Sequence, residues 1–126
     1  GPTVVQDADG KQTKYRNYKK SGNIEWFGYS EQADRTLIAE KRVYKHPDGT
    51  ITTYIGWEKN QDGTITAKKR VVKLHDGTIQ TFTGYKKNPD GTIAAKSVVV
   101  EKDGETKTYT SWKKNADGIE TAGPTP

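Results

Sequence analysis

The even spacing of Asp-Gly pairs constrains this chain more than any other feature. The pairs fall at 9–10, 48–49, 62–63, 76–77, 90–91, 103–104 and 117–118, and from the second pair on the intervals are 14, 14, 14, 13 and 14. Weaker turn signals at Ser21-Gly22-Asn23 and Ala33-Asp34-Arg35 divide the one long gap at intervals near 13. Between turns lie segments of about ten residues, rich in Thr, Val, Ile, Tyr and Trp, whose alternation with a period of two argues for strands. No segment has the period of a helix. Strands joined by tight turns must run antiparallel to their neighbours, so the expectation is an up-and-down meander.

Two segment types alternate. One runs from Thr64 to Leu74, with counterparts starting at Thr36 and Thr92 and a looser one at Lys11. The other runs from Thr50 through Tyr54, Gly56 and Trp57 to Asn60, matched by Thr78 to Asn88, by Glu105 to Asn115 and loosely by Asn23 to Gln32. Together they make a hairpin of 27 or 28 residues, present about four times, in units near 10–35, 36–63, 64–91 and 92–118. A single repeat-built domain is expected over 3–121. Gly1-Pro2 reads as the remnant of a protease cleavage and 122–126 as the start of a linker.

The turns fix the pairing. In Asn88-Pro89-Asp90-Gly91-Thr92, Pro sits where φ is near −65° and Gly where φ must be positive, which suits a type I turn closed by a Gly bulge. His46-Pro47-Asp48-Gly49-Thr50 follows the same logic. With three-residue loops, Asn88 faces Thr92, Tyr85 faces Ala95 and Thr81 faces Val99. Strict alternation then lays Ala39, Trp57, Ala67, Tyr85 and Ala95 in a row on one face, with Ile55, Thr53 and Val43. Trp112 continues this row only if a bulge absorbs the one shorter interval. The opposite face receives Tyr54 and Phe82 between Arg42 and Arg70.

Composition enters here. Ile, Leu, Val and Phe total 20 of 126 residues, about 16 %, below the roughly 20 % at which a thick core becomes hard to build. Both faces carry mid-strand charges, and burying an unpaired cation costs several kcal/mol at least. The fold expected is therefore all-β: an open, largely single-layer antiparallel meander of 8–10 strands, wet on both sides. A closed up-and-down barrel is the alternative. Cross-strand pairs of about 0.2–1 kcal/mol each hold such a sheet, and Tyr-Arg stacking adds to them. No apolar run approaches the ~18 residues of a membrane helix, so no membrane insertion is expected.

Catalysis needs convergent groups, and a flat sheet offers few. His46 and His75 lie in turns two strands apart, roughly 10 Å, too far to share a metal. Serines occur only at 21, 30, 97 and 111, without a Gly-x-Ser-x-Gly elbow, and no phosphate loop is present. The absence of Cys removes disulfides and thiolate metal sites. Asn-x-Asp-Gly at 60–63, 88–91 and 115–118 resembles fragments of calcium loops, but the further carboxylates are missing and plain turns account for it. The chain is read as non-enzymatic, without cofactor or metal.

Ligand or partner contact is the remaining role. With a net charge of +5, 17 of the 21 basic residues are Lys. One rim of a meander would collect Lys59, Lys86, Lys87, Lys113 and Lys114 beside the rings of Trp57, Tyr85 and Trp112, a setting for a glycan or a polyanion. Asp62, Asp90 and Asp117 on the same rim weaken its field, and Lys also keeps exposed strands from pairing with strangers. Tyr54, Phe82, Arg42 and Arg70 offer a second surface, fit for an extended peptide. Open edge strands could recruit a protein partner or a second copy by strand addition.

The Pro-Asp-Gly-Thr runs at Pro47 to Thr50 and Pro89 to Thr92, between polar alternating strands, resemble the G-box (TCP) domain of centriole-assembly scaffold proteins. That resemblance, over residues 36 to 118, implies a solvated single sheet gripping a Pro-rich peptide in an intracellular scaffold. The Phe-x-Asn-Gly pattern of that family is missing here, so its peptide site maps to no particular residue. The long Lys/Thr/Gly/Asp-rich hairpins, free of Cys and Met, equally resemble repeat modules of bacterial surface or secreted proteins. This second resemblance implies an extracellular stalk, adhesion or assembly unit, which is the reading preferred from sequence.

Overall fold

The structure, a computed structural model, describes residues 2–6, 10–60 and 63–123. Gly1, the Asp of the turns at 9–10 and 62–63, and the last three residues of the expected linker lie outside them. Among the described residues sixteen short strands and no helix follow in order: β1 (Thr3–Gln6), β2 (Gln12–Tyr15), β3 (Tyr18–Ser21), β4 (Ile24–Glu31), β5 (Leu37–Lys45), β6 (Ile51–Ile55), β7 (Glu58–Lys59), β8 (Ile65–Thr66), β9 (Lys69–Lys73), β10 (Ile79–Thr83), β11 (Lys86–Lys87), β12 (Ile93–Ala95), β13 (Ser97–Lys102), β14 (Glu105–Tyr109), β15 (Trp112–Lys114) and β16 (Glu120–Ala122).

Eight of them form an antiparallel meander in the order β14-β13-β10-β9-β6-β5-β4-β3. Its terminal strands do not meet, so among the described residues the sheet is open and the barrel alternative does not hold. Beyond a break in each strand the same chain segments continue as smaller sheets, β11-β12-β15-β16 and β7-β8, while β1-β2 is a separate hairpin.

The expected register is present: Thr81 faces Val99 and Val71, and Thr53 faces Val43 and Val71. The loops are built as the turn chemistry requires. His46 N–H donates to Thr50 O (2.8 Å) and Gly49 N–H to His46 O (3.0 Å), and the same pair of bonds recurs at Asn60, Leu74, Asn88 and Asn115. Asp90 accepts from the Thr92 N–H and hydroxyl at 2.9 and 2.6 Å, which pulls its carboxyl below the usual range.

One turn differs. Asp103 and Gly104, at φ of 51° and 79°, form a two-residue loop in which Lys102 faces Glu105. That loop, and not a bulge, absorbs the shorter interval and sets Trp112 opposite Ala95.

The strict alternation of faces does not survive. Gly28, Gly56 and Gly84 have φ of 65°, 69° and 69°, and each marks a place where the alternation skips a residue. The Arg70 guanidinium lies 5.1 Å from the ring of Phe82 and 5.8 Å from that of Tyr85, so residues three apart share a face. Phe82 meets Trp112 edge-on at 4.9 Å. The row of Trp57, Tyr85 and Trp112 thus lies on the face of Tyr54 and Phe82, not on the one opposite.

This correction moves the core. Val72, Phe82, Ala95, Val98 and Trp112 form one buried cluster, with Leu74, Tyr85, Ile93, Val100 and Tyr109 packed around it. At this end β16 returns over the face and shares a depression with Gln80, Val100 and Trp112. The face is dry here because Val98 stands where the two preceding units have Arg42 and Arg70. At the other end the β1-β2 hairpin lies against the opposite face near Phe27, Lys41 and Val43. The sheet is therefore single-layered in its middle and covered on a different face at each end.

Candidate functional site

The skipped alternation sorts side chains by chemistry. Tyr54-Ile55-Gly56-Trp57 and Phe82-Thr83-Gly84-Tyr85 each send two rings to one face, with Tyr109-Thr110-Ser111-Trp112 doing so in the last unit, and Trp26 joins Tyr54 and Trp57 on it. Cross-strand partners complete a row of Trp26, Arg42, Tyr54, Arg70, Phe82, Val98 and Tyr109. On the opposite face Lys41, Ile55 and Lys69 stand side by side. Gly56 N–H donates to Glu40 O at 2.7 Å, and the space a Cβ would take lies 3.3 Å from the Lys68 stem.

Two guanidinium groups are stacked into the ring row. Arg42 lies 4.8 Å from the Tyr54 ring and 5.3 Å from that of Tyr44, while Arg70 spans Phe82 and Tyr85. Tyr44 meets Tyr54 edge-on at 5.8 Å. The Nε atoms of Arg42 and Arg70 are buried with no hydrogen-bond partner. Stacking of this kind contributes roughly 0.5–2 kcal/mol but leaves donor capacity unused.

Beside Arg42 the face opens into a cleft of about 270 Å³, lined by Trp26, Ala39, Tyr54, Trp57 and Ala67 and closed at one side by Asp34. Trp57 is 36 % exposed. Ala39, on the strand between the two indoles, leaves the trough that separates them, and Ala67 flanks Trp57 on its other side. Asp34 accepts from the Thr36 hydroxyl and N–H at 2.6 and 3.1 Å; these bonds hold its carboxyl below the usual range, and the field of Lys59 adds to the effect. Lys19 lies 5.9 Å over the Trp26 ring. The cleft thus combines two indoles, one anchored acceptor and one lining cation, Arg42.

The residues expected to make contacts divide sharply. Trp57, Tyr54 and Arg42 come together at the cleft, while Lys59 lies outside its lining and acts on Asp34 only through its field. Arg70 and Tyr85 continue the same face, half-buried. Phe82 and Trp112, at 5 % and 8 % exposure, belong to the core and offer no ring to a ligand. The lysine rim is split: Lys86 and Lys113 flank Ala94, whereas Lys87 and Lys114 flank Ile93 and so point to the other side. Trp26, Tyr44 and Lys19 are not among the residues expected from sequence; the aromatic-x-Gly-aromatic spacing points to Trp26, and no comparable signal marks Tyr44 or Lys19.

The opposite face holds a second space, of about 800 Å³, between the β1-β2 hairpin and the sheet, lined by Val4, Val5, Phe27, Lys41, Val43 and Ile51 among others. Lys41 is 1 % exposed, its ammonium 5.9 Å from the Tyr15 ring, and burial lowers its pKa to about 8. His46 Nε2 is 3.1 Å from Thr52 Oγ1, with its ring stacked on Tyr44. Among the described residues no group of three His, Cys, Asp or Glu side chains is placed to hold a metal ion. Comparison with protein-family models, with curated proteins and with solved structures finds no match to this chain.

Proposed function

We propose that the chain is a non-catalytic repeat module of a bacterial surface or secreted protein, and that it works in adhesion through the ring-and-guanidinium face. The observation that carries this reading is the cleft between Trp26 and Trp57, where an arginine with an unpartnered Nε lies among rings on an open sheet. An arginine so placed is poorly explained by stability alone, because an apolar side chain of similar volume would pack there at no desolvation cost. The composition and the even hairpins support the surface-module setting.

Assembly through sheet edges is the weaker form of this reading. The edge strand β3 carries Lys19 and Lys20, and the edge strand β14 carries Lys107 between Glu105 and Tyr109. Charges of this kind guard an edge against pairing. An intracellular peptide-binding sheet would draw on Phe82, which is buried beneath Trp112.

The test is a screen of glycans, polyanions and Pro-rich peptides by tryptophan fluorescence and backbone amide shifts. The expected ligand perturbs Trp26 and Trp57 and is lost on Trp57→Ala. Ligands that perturb only β3, β14 or the opposite face, or no perturbation by any class, would refute the reading.

A further inference from the structure

The ligand chemistry of the cleft can be narrowed, in an inference that rests on the face being the working surface. We infer that the cleft between Trp26 and Trp57 receives an acidic saccharide, its sugar ring against the indoles and its carboxylate on Arg42.

Four features lead there. First, the half-buried indole of Trp26 and the exposed one of Trp57, with the small Ala39 on the strand between them, suit a flat, semi-rigid body with C–H bonds on its faces, as a pyranose has; such C–H groups pack on the electron-rich face of an aromatic ring. Second, Arg42 lines the cleft, and its guanidinium is held over the rings of Tyr44 and Tyr54. A planar donor fork held in this way is matched by a planar carboxylate, which can accept two parallel bonds.

Third, Asp34 sits on the cleft wall with its carboxylate fixed by Thr36. An oxygen acceptor there serves a ligand that carries hydroxyl donors and disfavours one that is only a string of negative charges. Arg42 is the cation in the cleft lining, beside Asp34, and the field of Lys59 also reaches Asp34, a balance that suits one acidic group rather than a dense polyanion. Fourth, about 270 Å³ is slightly below the ~300 Å³ at which pockets begin to enclose a drug-sized ligand. The space fits one or two sugar rings at the end of a chain.

The experiment titrates the full chain with trigalacturonate, its methyl ester, a heparin hexasaccharide, an oligothymidylate and a Glu-rich peptide, read by tryptophan fluorescence and amide shifts. Trigalacturonate is expected to perturb Trp26 and Trp57 and to bind about tenfold tighter than its neutral ester, one charge-assisted contact being at stake. Arg42→Gln should abolish that tenfold preference while the ester binds as before. Arg42→Lys should restore only part of it. Trp57→Ala, at an exposed position, should remove binding of both acid and ester with unchanged circular dichroism.

Heparin or oligothymidylate binding as tightly as trigalacturonate and unaffected by Trp57→Ala would overturn the inference in favour of plain charge attraction. Capture of the Glu-rich peptide in the cleft with no response to either sugar would overturn it in favour of a protein partner, yet leave the working face intact. No change at Trp26 or Trp57 with any probe would remove both the inference and the proposed function.

Discussion

At position 70 a guanidinium rests between Phe82 and Tyr85 with its Nε unsatisfied; at the corresponding position of the next unit Val98 is 3 % exposed and packs under Trp112. The rings above them differ in the same sense. Trp57 is 36 % exposed and stands over a cleft, whereas Trp112, its counterpart in the last unit, is 8 % exposed. One backbone plan therefore yields a core where the cross-strand partner is aliphatic and a surface where it is cationic. The central arginines hold the middle of the face open to water, because closing a second layer over them would strand a charge.

Exchanges between the two regions should sharpen the contrast. The largest effect is expected from Trp112→Ala, which removes the lid of the cluster and should cost about 3–4 kcal/mol in urea unfolding, while Trp57→Ala should cost under about 1 kcal/mol. A small cost at Trp112 would mean that the cluster is no core. Next, Val98→Arg should lose about 3 kcal/mol by placing a charge in the packed end. Arg70→Val should gain about 1 kcal/mol, since an aliphatic partner suits the site better than a half-buried guanidinium. Equal effects of the two swaps would break the distinction between the regions.

Smaller differences follow from the glycines. A Cβ on Gly84 would lie 2.8 Å from Lys96 Cγ, whereas one on Gly56 would lie 3.3 Å from Lys68 Cδ, and both φ angles are 69°. Gly84→Ala should cost about 2 kcal/mol and Gly56→Ala about 1 kcal/mol, the order being read by thermal melting. A separate signal, read against pH, belongs to Lys41. Its folded pKa, about 8, is below the ordinary lysine value of 10.5, so between those values the unfolded chain binds more protons. Stability should rise with pH across that window and fall again as pH drops through about 8. Lys41→Met should flatten this dependence; an unchanged slope would place its origin elsewhere.

Much of the fold is legible in the sequence, because turn chemistry is local. Pro-Asp-Gly dictates a three-residue loop, the loop dictates which residues face each other, and Thr81 opposite Val99 follows. The placement of faces is not legible by counting in twos, since a glycine at positive φ resets the count, and this happens at Gly28, Gly56 and Gly84. The same reset is why Trp57 and Arg42 were assigned to opposite faces yet line one cleft. The coverage of the two ends, by β1-β2 and by β16, depends on sheet coiling and contacts distant in sequence, which no turn signal records.

The positive-φ glycines recur every 28 residues, at 28, 56 and 84. Because each one re-aims its own pair of rings, a hairpin can be duplicated or deleted whole without turning any neighbour inside out, whereas loss of a single residue within a strand would. Gene-level changes in hairpin number would thus alter how many rings and guanidinium groups one face displays, in whole units.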